Sequence, residues 1–215
     1  MRVNEVILAY SRLPRQLPAQ ARAHWRARLQ PARGARLSAD AHAQSRSLLG
    51  IALACALLGR ASGRRVEPAQ MRYSANGKPY VAGLAQFSIA HAGAWVLCAM
   101  SSHGAVGVDI EPLRALAALP RWHGVFDEHE RRAARSASAA LLIWTAKEAA
   151  LKAAGARFSE LPRVQVRGAR VEFRGRRWYA RTPRLHPRMV VRLVSERPVA
   201  RLRVQALCAA AALAP

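Results

Sequence analysis

An apolar run that carries two carboxylates is the feature that most constrains this chain. Residues 104–111 read GAVGVDIE, and the β-branched residues predict a buried strand over 106–110. Side chains two positions apart on a strand share a face, so Asp109 and Glu111 are expected to lie side by side. Two like charges this close repel each other unless a cation lies between them. Because the chain has only 12 acidic residues against 35 basic ones, this pairing indicates a function.

A second stretch, WTAKEAALK at residues 144–152, has the composition of a helix. On a helix, Trp144, Glu148 and Lys152 lie on one stripe, at i, i+4 and i+8. A third carboxylate and a lysine can therefore face the first pair. Three carboxylates beside cationic side chains predict Mg²⁺ bound next to a phosphate, since Mg²⁺ completes its oxygen shell with water and phosphate oxygens. A diphosphate substrate fits better than a structural calcium site.

The net charge of +23 predicts attraction to something anionic, such as nucleic acid, a membrane surface, a phosphorylated substrate or an acidic protein. The arginines are spread along the chain, so a composition rich in alanine and arginine explains much of this charge. A nucleic-acid-binding module is the main alternative, but no zinc-finger spacing, RNP-like motif or lysine-rich arm supports it. A Mg²⁺-dependent phosphohydrolase that uses the same carboxylates is the second alternative.

The length of 215 residues allows one large domain or two small ones with a substantial core. The longest apolar run, 48–58, is too short to cross a bilayer and fits a core helix. No signal peptide is expected at the N-terminus. Cys55, Cys98 and Cys208 lack metal-ligand spacing and lie in apolar surroundings, so we expect buried, reduced thiols and a cytoplasmic protein.

The order of predicted elements is strands grouped around one long helix, followed by a second helix and more strands. Ser38 is expected to cap a helix that Gly59 closes, Asp127 and Glu130 resemble a capping box, and Gly155 is expected to end a helix over 138–154. The turn NGKP at 76–79 separates two short extended pieces. The first predicted helix covers residues 19–29. The predicted strands cover residues 3–10, 87–89, 95–100, 164–166, 171–173, 189–194 and 199–204, and those from 164 onward are assigned to one antiparallel sheet.

The two acidic motifs, in this order and separation, resemble the paired signature of the 4′-phosphopantetheinyl transferases. They are GVDIE at 107–111 and WTAKEAALK at 144–152. Upstream, GKP at 77–79, FSIAHAG at 87–93 and SRSLLG at 45–50 resemble elements of the larger, surfactin-synthetase-type branch of that family. The resemblance runs from about residue 38 to residue 155.

This resemblance implies an α/β (α+β) fold of two similar halves in a pseudo-twofold arrangement, with the site between them. The halves would be 1–103, with the coenzyme A-binding elements, and 104–215, with the acidic motifs. The implied activity is Mg²⁺-dependent transfer of phosphopantetheine from coenzyme A to a carrier-protein serine, a holo-acyl-carrier-protein synthase reaction that releases adenosine 3′,5′-bisphosphate. Mn²⁺ is a possible substitute for Mg²⁺.

The resemblance also assigns roles to residues. The implied metal ligands are Asp109, Glu111 and Glu148. The implied catalytic residues are Glu148, as the base, with Asp109 and Lys152. The implied coenzyme A-binding residues are Arg46, Lys78, His91, Lys152, Asp109 and Arg33. Arg28 and Arg36 are alternatives to Arg33. The family's two serines around His91 are Ala90 and Ala92 here, so a hydroxyl contact to coenzyme A is absent.

Two further residues keep two interpretations each. Lys147 is expected to contact phosphate or to pair with an acid such as Glu130, and Glu130 matches a family position but is also explained by its capping box. As partners we expect coenzyme A and an acidic acyl- or peptidyl-carrier protein, whose association with a basic enzyme is salt-sensitive. We expect a monomer that binds neither nucleic acid nor a membrane.

Overall fold

The structure, a computed structural model, describes residues 4–13, 15–113 and 124–213. It is a mixed α/β protein with two main sheets and a two-stranded ribbon. The strands are β1 (Glu5–Arg12), β2 (Arg72–Tyr73), β3 (Pro79–Tyr80), β4 (Gln86–Ala92), β5 (Trp95–Ser101), β6 (Val106–Pro112), β7 (Gln165–Arg167), β8 (Arg170–Phe173), β9 (Arg176–Arg181), β10 (Met189–Ser195) and β11 (Arg201–Ala206). The helices are α1 (Ala19–Ala27), α2 (Pro31–Ala35), α3 (Ala41–Ser62), α4 (Glu128–Ala133), α5 (Ala137–Ala154) and α6 (Ala209–Leu213), with 3₁₀ helices at Pro68–Gln70 and Phe158–Arg163.

The first sheet has the order β11-β1-β5-β4 and is covered on one face by helix α3. Helix α3 begins after Asp40, whose side chain accepts a hydrogen bond from the Ala43 amide at 2.6 Å. The prediction of Ser38 as the cap was therefore wrong, and the helix runs past Gly59 to the left-handed Gly63. Asp40 lies three residues before the Ala43 amide, whereas Ser38 lies two residues further from the helix and accepts from the Asp40 amide at 3.1 Å instead.

Helix α3 is long and apolar enough to span a membrane, as judged by length and composition alone. In its most apolar stretch, 61% of the residues are buried inside the protein. Its buried side chains pack against strands β4 and β5, so it forms the core of this part of the chain.

The second sheet is antiparallel, has the order β6-β10-β9-β8-β7, and is covered by helix α5. The predicted ends of α5 are close to those observed. Ser136 caps its start, and Gly155, with φ of 60°, ends it. The capping box of Asp127 and Glu130 at helix α4 is also confirmed.

The two sheets pack against each other through the faces that α3 and α5 leave free. Strands β4 and β6 meet where the sheets come together, and the Val108 amide of β6 donates to the Ser88 hydroxyl of β4 at 3.2 Å. The predicted motifs FSIAHAG and GVDIE therefore lie on neighbouring strand edges. A pseudo-twofold relation and the boundary at residues 103 and 104 stay predictions.

Three expectations need correction. The segment predicted as a strand at 199–204 leaves the antiparallel sheet, and as β11 it pairs parallel to β1 in the first sheet. Asn4, next to β1, donates from Nδ2 to the carbonyls of Arg197 and Pro198 and so fixes the turn that precedes β11. Strand β9 was not predicted. Cys208, expected to be buried, lies between β11 and α6 and is exposed, whereas Cys55 and Cys98 are buried as expected. Residue 3, the predicted start of the first strand, lies outside the described residues.

Candidate active site

The structure brings the three carboxylates of the two acidic motifs together. Asp109 and Glu111 extend from the same face of β6, and Glu148 faces them from helix α5. One oxygen from each residue lies within 4.8 Å of the others. Asp109 is buried, whereas Glu111 and Glu148 are half-buried and face the opening of the site. This is the spacing that a single divalent cation requires of three oxygen ligands.

Helix α5 lies this close to β6 because residue 107 is a glycine. A Cβ atom added to Gly107 would lie 1.9 Å from the carbonyl oxygen of Ala149 and 2.5 Å from the amide nitrogen of Ala153. No larger residue fits beneath the helix backbone. The glycine of the GVDIE motif therefore sets the distance between the strand that carries two carboxylates and the helix that carries the third.

Lys152 provides the positive charge on the floor of the site. Its ammonium group donates to Asp109 Oδ1 at 2.6 Å. The other oxygen, Asp109 Oδ2, is buried and has no hydrogen-bond partner among the residues that the structure describes. A buried carboxylate oxygen without a partner is costly, and a cation held between the three carboxylates would satisfy it. The donor set, three hard oxygens, fits Mg²⁺ or Mn²⁺.

The electrostatics of the cluster reflect three acids around one lysine. Burial, together with the charge of Asp109, raises the pKa of Glu111 to about 7. The same two causes raise the pKa of Glu148 to about 7, while Lys152 and a hydrogen bond from Trp144 oppose the shift. Burial opposes the charge of Lys152, but the three carboxylates raise its pKa above the ordinary value. When all three are ionised, the carboxylates carry three negative charges against the single positive charge of Lys152, so the cluster attracts a further cation.

His91 lies on β4 at the edge of the site, beside Arg46 of helix α3. Burial and the positive charges of Arg46 and Lys152 lower the pKa of His91, so all three side chains share one electrostatic neighbourhood. The Arg46 Nε atom is buried, and within the described part of the chain it has no hydrogen-bond partner. A guanidinium nitrogen, an imidazole and an ammonium that face one region are suited to bind phosphate oxygens.

Lys78 lies in the turn before β3 and points toward helix α5. Its ammonium donates to the carbonyl of Ala153 at 2.6 Å and reaches that of Val106 at 3.5 Å. Burial lowers its pKa to about 8, partly offset by Glu196. The structure thus places Lys78 at the site but on backbone carbonyls.

Of the three arginines considered for the far end of coenzyme A, two face a common pocket. Arg33 and Arg36 line a pocket of about 540 Å³ together with Arg72, and Arg33 donates to the Tyr73 hydroxyl at 3.2 Å. Arg28 is paired with Glu67 at 2.6 Å and does not line this pocket.

Lys147 pairs with Glu130, which was one of the two roles expected for this lysine. The two side chains form an ion pair at 2.8 Å, and both are completely buried. Glu130 also accepts hydrogen bonds from the amides of Asp127 at 3.0 Å and Val166 at 2.7 Å. Lys147 additionally donates to the carbonyl of Val164. The pair therefore ties α4 and β7 to α5, beside Glu148.

A cleft of about 280 Å³ opens beside the carboxylates and is lined by Lys78, Ser88, Glu148, Lys152 and Phe158, among others. Phe158 is 62% exposed, and its ring meets Trp144 edge-on at 6.1 Å. Neither Phe158 nor Ser88 was predicted as a site residue, although Ser88 lies in the FSIAHAG motif. Trp144 is half-buried, packs against the core beside helix α5 and donates a hydrogen bond to Glu148.

Comparison with known proteins agrees with this geometry. The family model of the 4′-phosphopantetheinyl transferase superfamily matches residues 105–203, which contain both acidic motifs. This segment therefore carries a domain of that superfamily, which points to a transferase and to phosphopantetheinyl transfer in general. No curated protein matches the chain.

Proposed function

We propose that this protein is a Mg²⁺-dependent 4′-phosphopantetheinyl transferase of the surfactin-synthetase-type branch. The observation that carries the proposal is the meeting of Asp109, Glu111 and Glu148 beside a cleft, within the segment that matches the superfamily model. The donor is coenzyme A, and the acceptor is a serine of an apo acyl- or peptidyl-carrier protein.

Asp109, Glu111 and Glu148 would hold the divalent cation, which is Mg²⁺ or, in its place, Mn²⁺. The buried Asp109 Oδ2, which no described residue contacts by a hydrogen bond, supports a cation at this point. When bound, such an ion neutralises negative charge on phosphate oxygens and so lowers the cost of charge development in the transition state.

The chain's own cations would bind and orient the rest of the donor. Lys152 contacts Asp109, and Arg46 and Lys152 lie close enough to His91 to lower its pKa, so these three side chains are suited to the diphosphate oxygens. Arg33, in its pocket with two further arginines, is suited to the 3′-phosphate. Held in this way, the diphosphate presents its pantetheine-bearing phosphorus to the cleft.

In the transfer step, the serine oxygen of the carrier attacks the phosphorus atom that carries pantetheine. A new serine O–P bond forms, the P–O bond to the second phosphate breaks, and adenosine 3′,5′-bisphosphate leaves with that bridging oxygen. Glu148 lies on the wall of the cleft and accepts the serine proton. A positioned base contributes roughly 10²–10⁴-fold. Lys152 holds Asp109 in place and stabilises charge on the leaving group.

The acceptor is expected to be acidic, because the chain carries a net charge of +23. Opposite charges raise the rate of encounter and make association sensitive to salt. We further propose that the enzyme acts as a monomer in the cytoplasm.

Intact-protein mass spectrometry of apo acyl- and peptidyl-carrier proteins tests the proposal directly. Each carrier is incubated with the protein, coenzyme A and Mg²⁺, and a gain of one phosphopantetheine group is expected. Asp109→Asn and Glu148→Gln should abolish the gain. Glu128→Gln, which changes an exposed acid of α4, should leave it unchanged and serves as the matched control.

Three other results would contradict the proposal. No gain on any carrier with intact coenzyme A would exclude the transferase for those acceptors. Consumption of coenzyme A without any carrier would identify a phosphohydrolase that uses the same carboxylates. Equal activity of Glu148→Gln and the wild-type protein would remove Glu148 from the chemistry.

A further inference from the structure

Helix α5 ends against a turn that is far away in the sequence. The last carbonyls of a helix lack partners within the helix and must find them elsewhere. In α5, the carbonyls of Leu151 and Lys152 accept from the Gly155 amide, and that of Leu151 also accepts from Ala156. The next carbonyl, that of Ala153, accepts from a side chain 75 residues earlier.

That side chain is Lys78, whose ammonium lies 2.6 Å from the Ala153 oxygen. Its neighbour Asn76 donates from Nδ2 to the carbonyl of Gly155 at 2.9 Å and accepts from Arg157 Nε at 3.1 Å. The turn itself is fixed by three hydrogen bonds between Ser74 and residues 77 and 78. A rigid turn of the N-terminal part of the chain therefore caps the helix that carries Glu148 and Lys152.

The same lysine also contacts the strand that carries the other two carboxylates. Its ammonium reaches the carbonyl of Val106, at the start of β6, at 3.5 Å. Lys78 thus connects the end of α5 to the beginning of β6. The distance between Glu148 and the pair on β6 depends on how these two elements sit against each other.

The choice of lysine supports this interpretation. Only three of the 35 basic residues are lysines, namely Lys78, Lys147 and Lys152. Each has a close acceptor on an element of the site: Ala153 for Lys78, Glu130 for Lys147 and Asp109 for Lys152. A compact ammonium fits between two backbone carbonyls, whereas the planar fork of arginine does not.

We propose that Lys78 and Asn76 are positioning residues that hold the end of helix α5, and with it the carboxylate of Glu148, in register with strand β6. Lys78 is therefore not a phosphate ligand. This inference rests on the proposed transferase for its kinetic test but not for its structural one.

The test uses the full chain and three variants: Lys78→Met, Lys78→Arg and Asn76→Ala. All three should lower Tm and speed amide hydrogen exchange at Gly155 and Ala156. They should lower kcat, roughly 10–100-fold for the two lysine variants, because small misplacements of catalytic groups are costly. The KM for coenzyme A should stay within about twofold of wild type, since no phosphate contact is lost. Arg60→Met removes one exposed cation from the far end of α3 and is the matched control.

A phosphate ligand gives the opposite pattern. Lys78→Met would then raise the KM for coenzyme A about tenfold or more with unchanged Tm and exchange. Lys78→Arg would stay near wild type, because arginine binds phosphate well, and Asn76→Ala would have no effect. That result would overturn the inference while leaving the transferase intact. If the wild-type protein transfers nothing, the proposed function fails, and Tm and amide exchange still decide whether the turn holds the helix.

Discussion

Replacing Gly107 by alanine should damage both the stability of the protein and its active site. The added Cβ atom would lie 1.9 Å from the Ala149 oxygen, whereas such contacts essentially never fall below 3.0 Å. The clash is with helix backbone and cannot be relieved by a rotamer change. Helix α5 must therefore move away from β6 by at least about 1.1 Å.

The size of the effect follows from that movement. Overpacking a tight contact costs typically 1–3 kcal/mol, and a clash with backbone belongs at the upper end, about 3 kcal/mol. For a chain of this size, that corresponds to a fall in Tm of roughly 6–12 °C. Glu148 moves with the helix, so the affinity for Mg²⁺ should fall, and the rate of transfer should fall about 100-fold.

Urea unfolding and calorimetric titration with Mg²⁺ measure the two consequences separately. Gly124→Ala is the control, because a Cβ atom at Gly124 meets no described residue within 4 Å. If Gly107→Ala unfolded within about 0.5 kcal/mol of wild type and bound Mg²⁺ equally well, the close approach of helix and strand would not be what shapes the site.

Three further predictions concern charge. Glu130→Gln and Lys147→Met should each lower the free energy of unfolding in urea by about 3–5 kcal/mol, since each leaves a buried charge without its partner. The double variant should lose less than the sum of the two single variants, and simple additivity would show that the pair is not coupled. Burial lowers the pKa of Lys78 from 10.5 to about 8. Between about pH 8 and pH 10.5 the unfolded chain therefore keeps a proton on Lys78 that the folded chain has lost, and stability rises with pH. The stability of wild type relative to Lys78→Met should thus rise by up to about 3 kcal/mol from pH 8 to pH 10.5, and a flat difference would contradict the burial of the ammonium. Finally, the KM for an acidic carrier protein should rise several-fold between about 50 and about 300 mM salt, and a constant KM would exclude electrostatic steering.

The elements that carry the carboxylates were predictable because their signals are local. Strand β6 is an apolar run, and helix α5 has a serine cap, a strong helix composition and a terminal glycine. The facing of Asp109 and Glu111 follows from the two-residue period of a strand alone. The helical stripe of Trp144, Glu148 and Lys152 allowed Glu148 to face this pair, and the family resemblance supported the same arrangement.

What the sequence missed depends on contacts between distant segments. Strand β9 has only two buried side chains, Trp178 and Ala180, among arginines, and its hairpin turn places Arg174 at a φ of 52°. A non-glycine residue with positive φ is not expected from sequence. Likewise, the position of Lys78 on the end of α5 is a tertiary contact that no local pattern contains. The pairing of Lys147 with Glu130 was one of two alternatives, and only the structure decides between them.

The proposed site takes its carboxylates from the second half of the chain and several of its cations from the first half, so it is complete only where the two pack together. All three carboxylates come from residues after 104, whereas Arg46 and His91 come from α3 and β4 in the first sheet. The segment that matches the superfamily model ends at residue 203, inside β11, and β11 belongs to that same first sheet. A fragment limited to the match would lose its strand partner β1 and every cation that precedes residue 105. In the proposed transferase, the acidic cluster would hold the cation without help from the first sheet, whereas binding a diphosphate beside it would require that β4 and β6 keep their present contact.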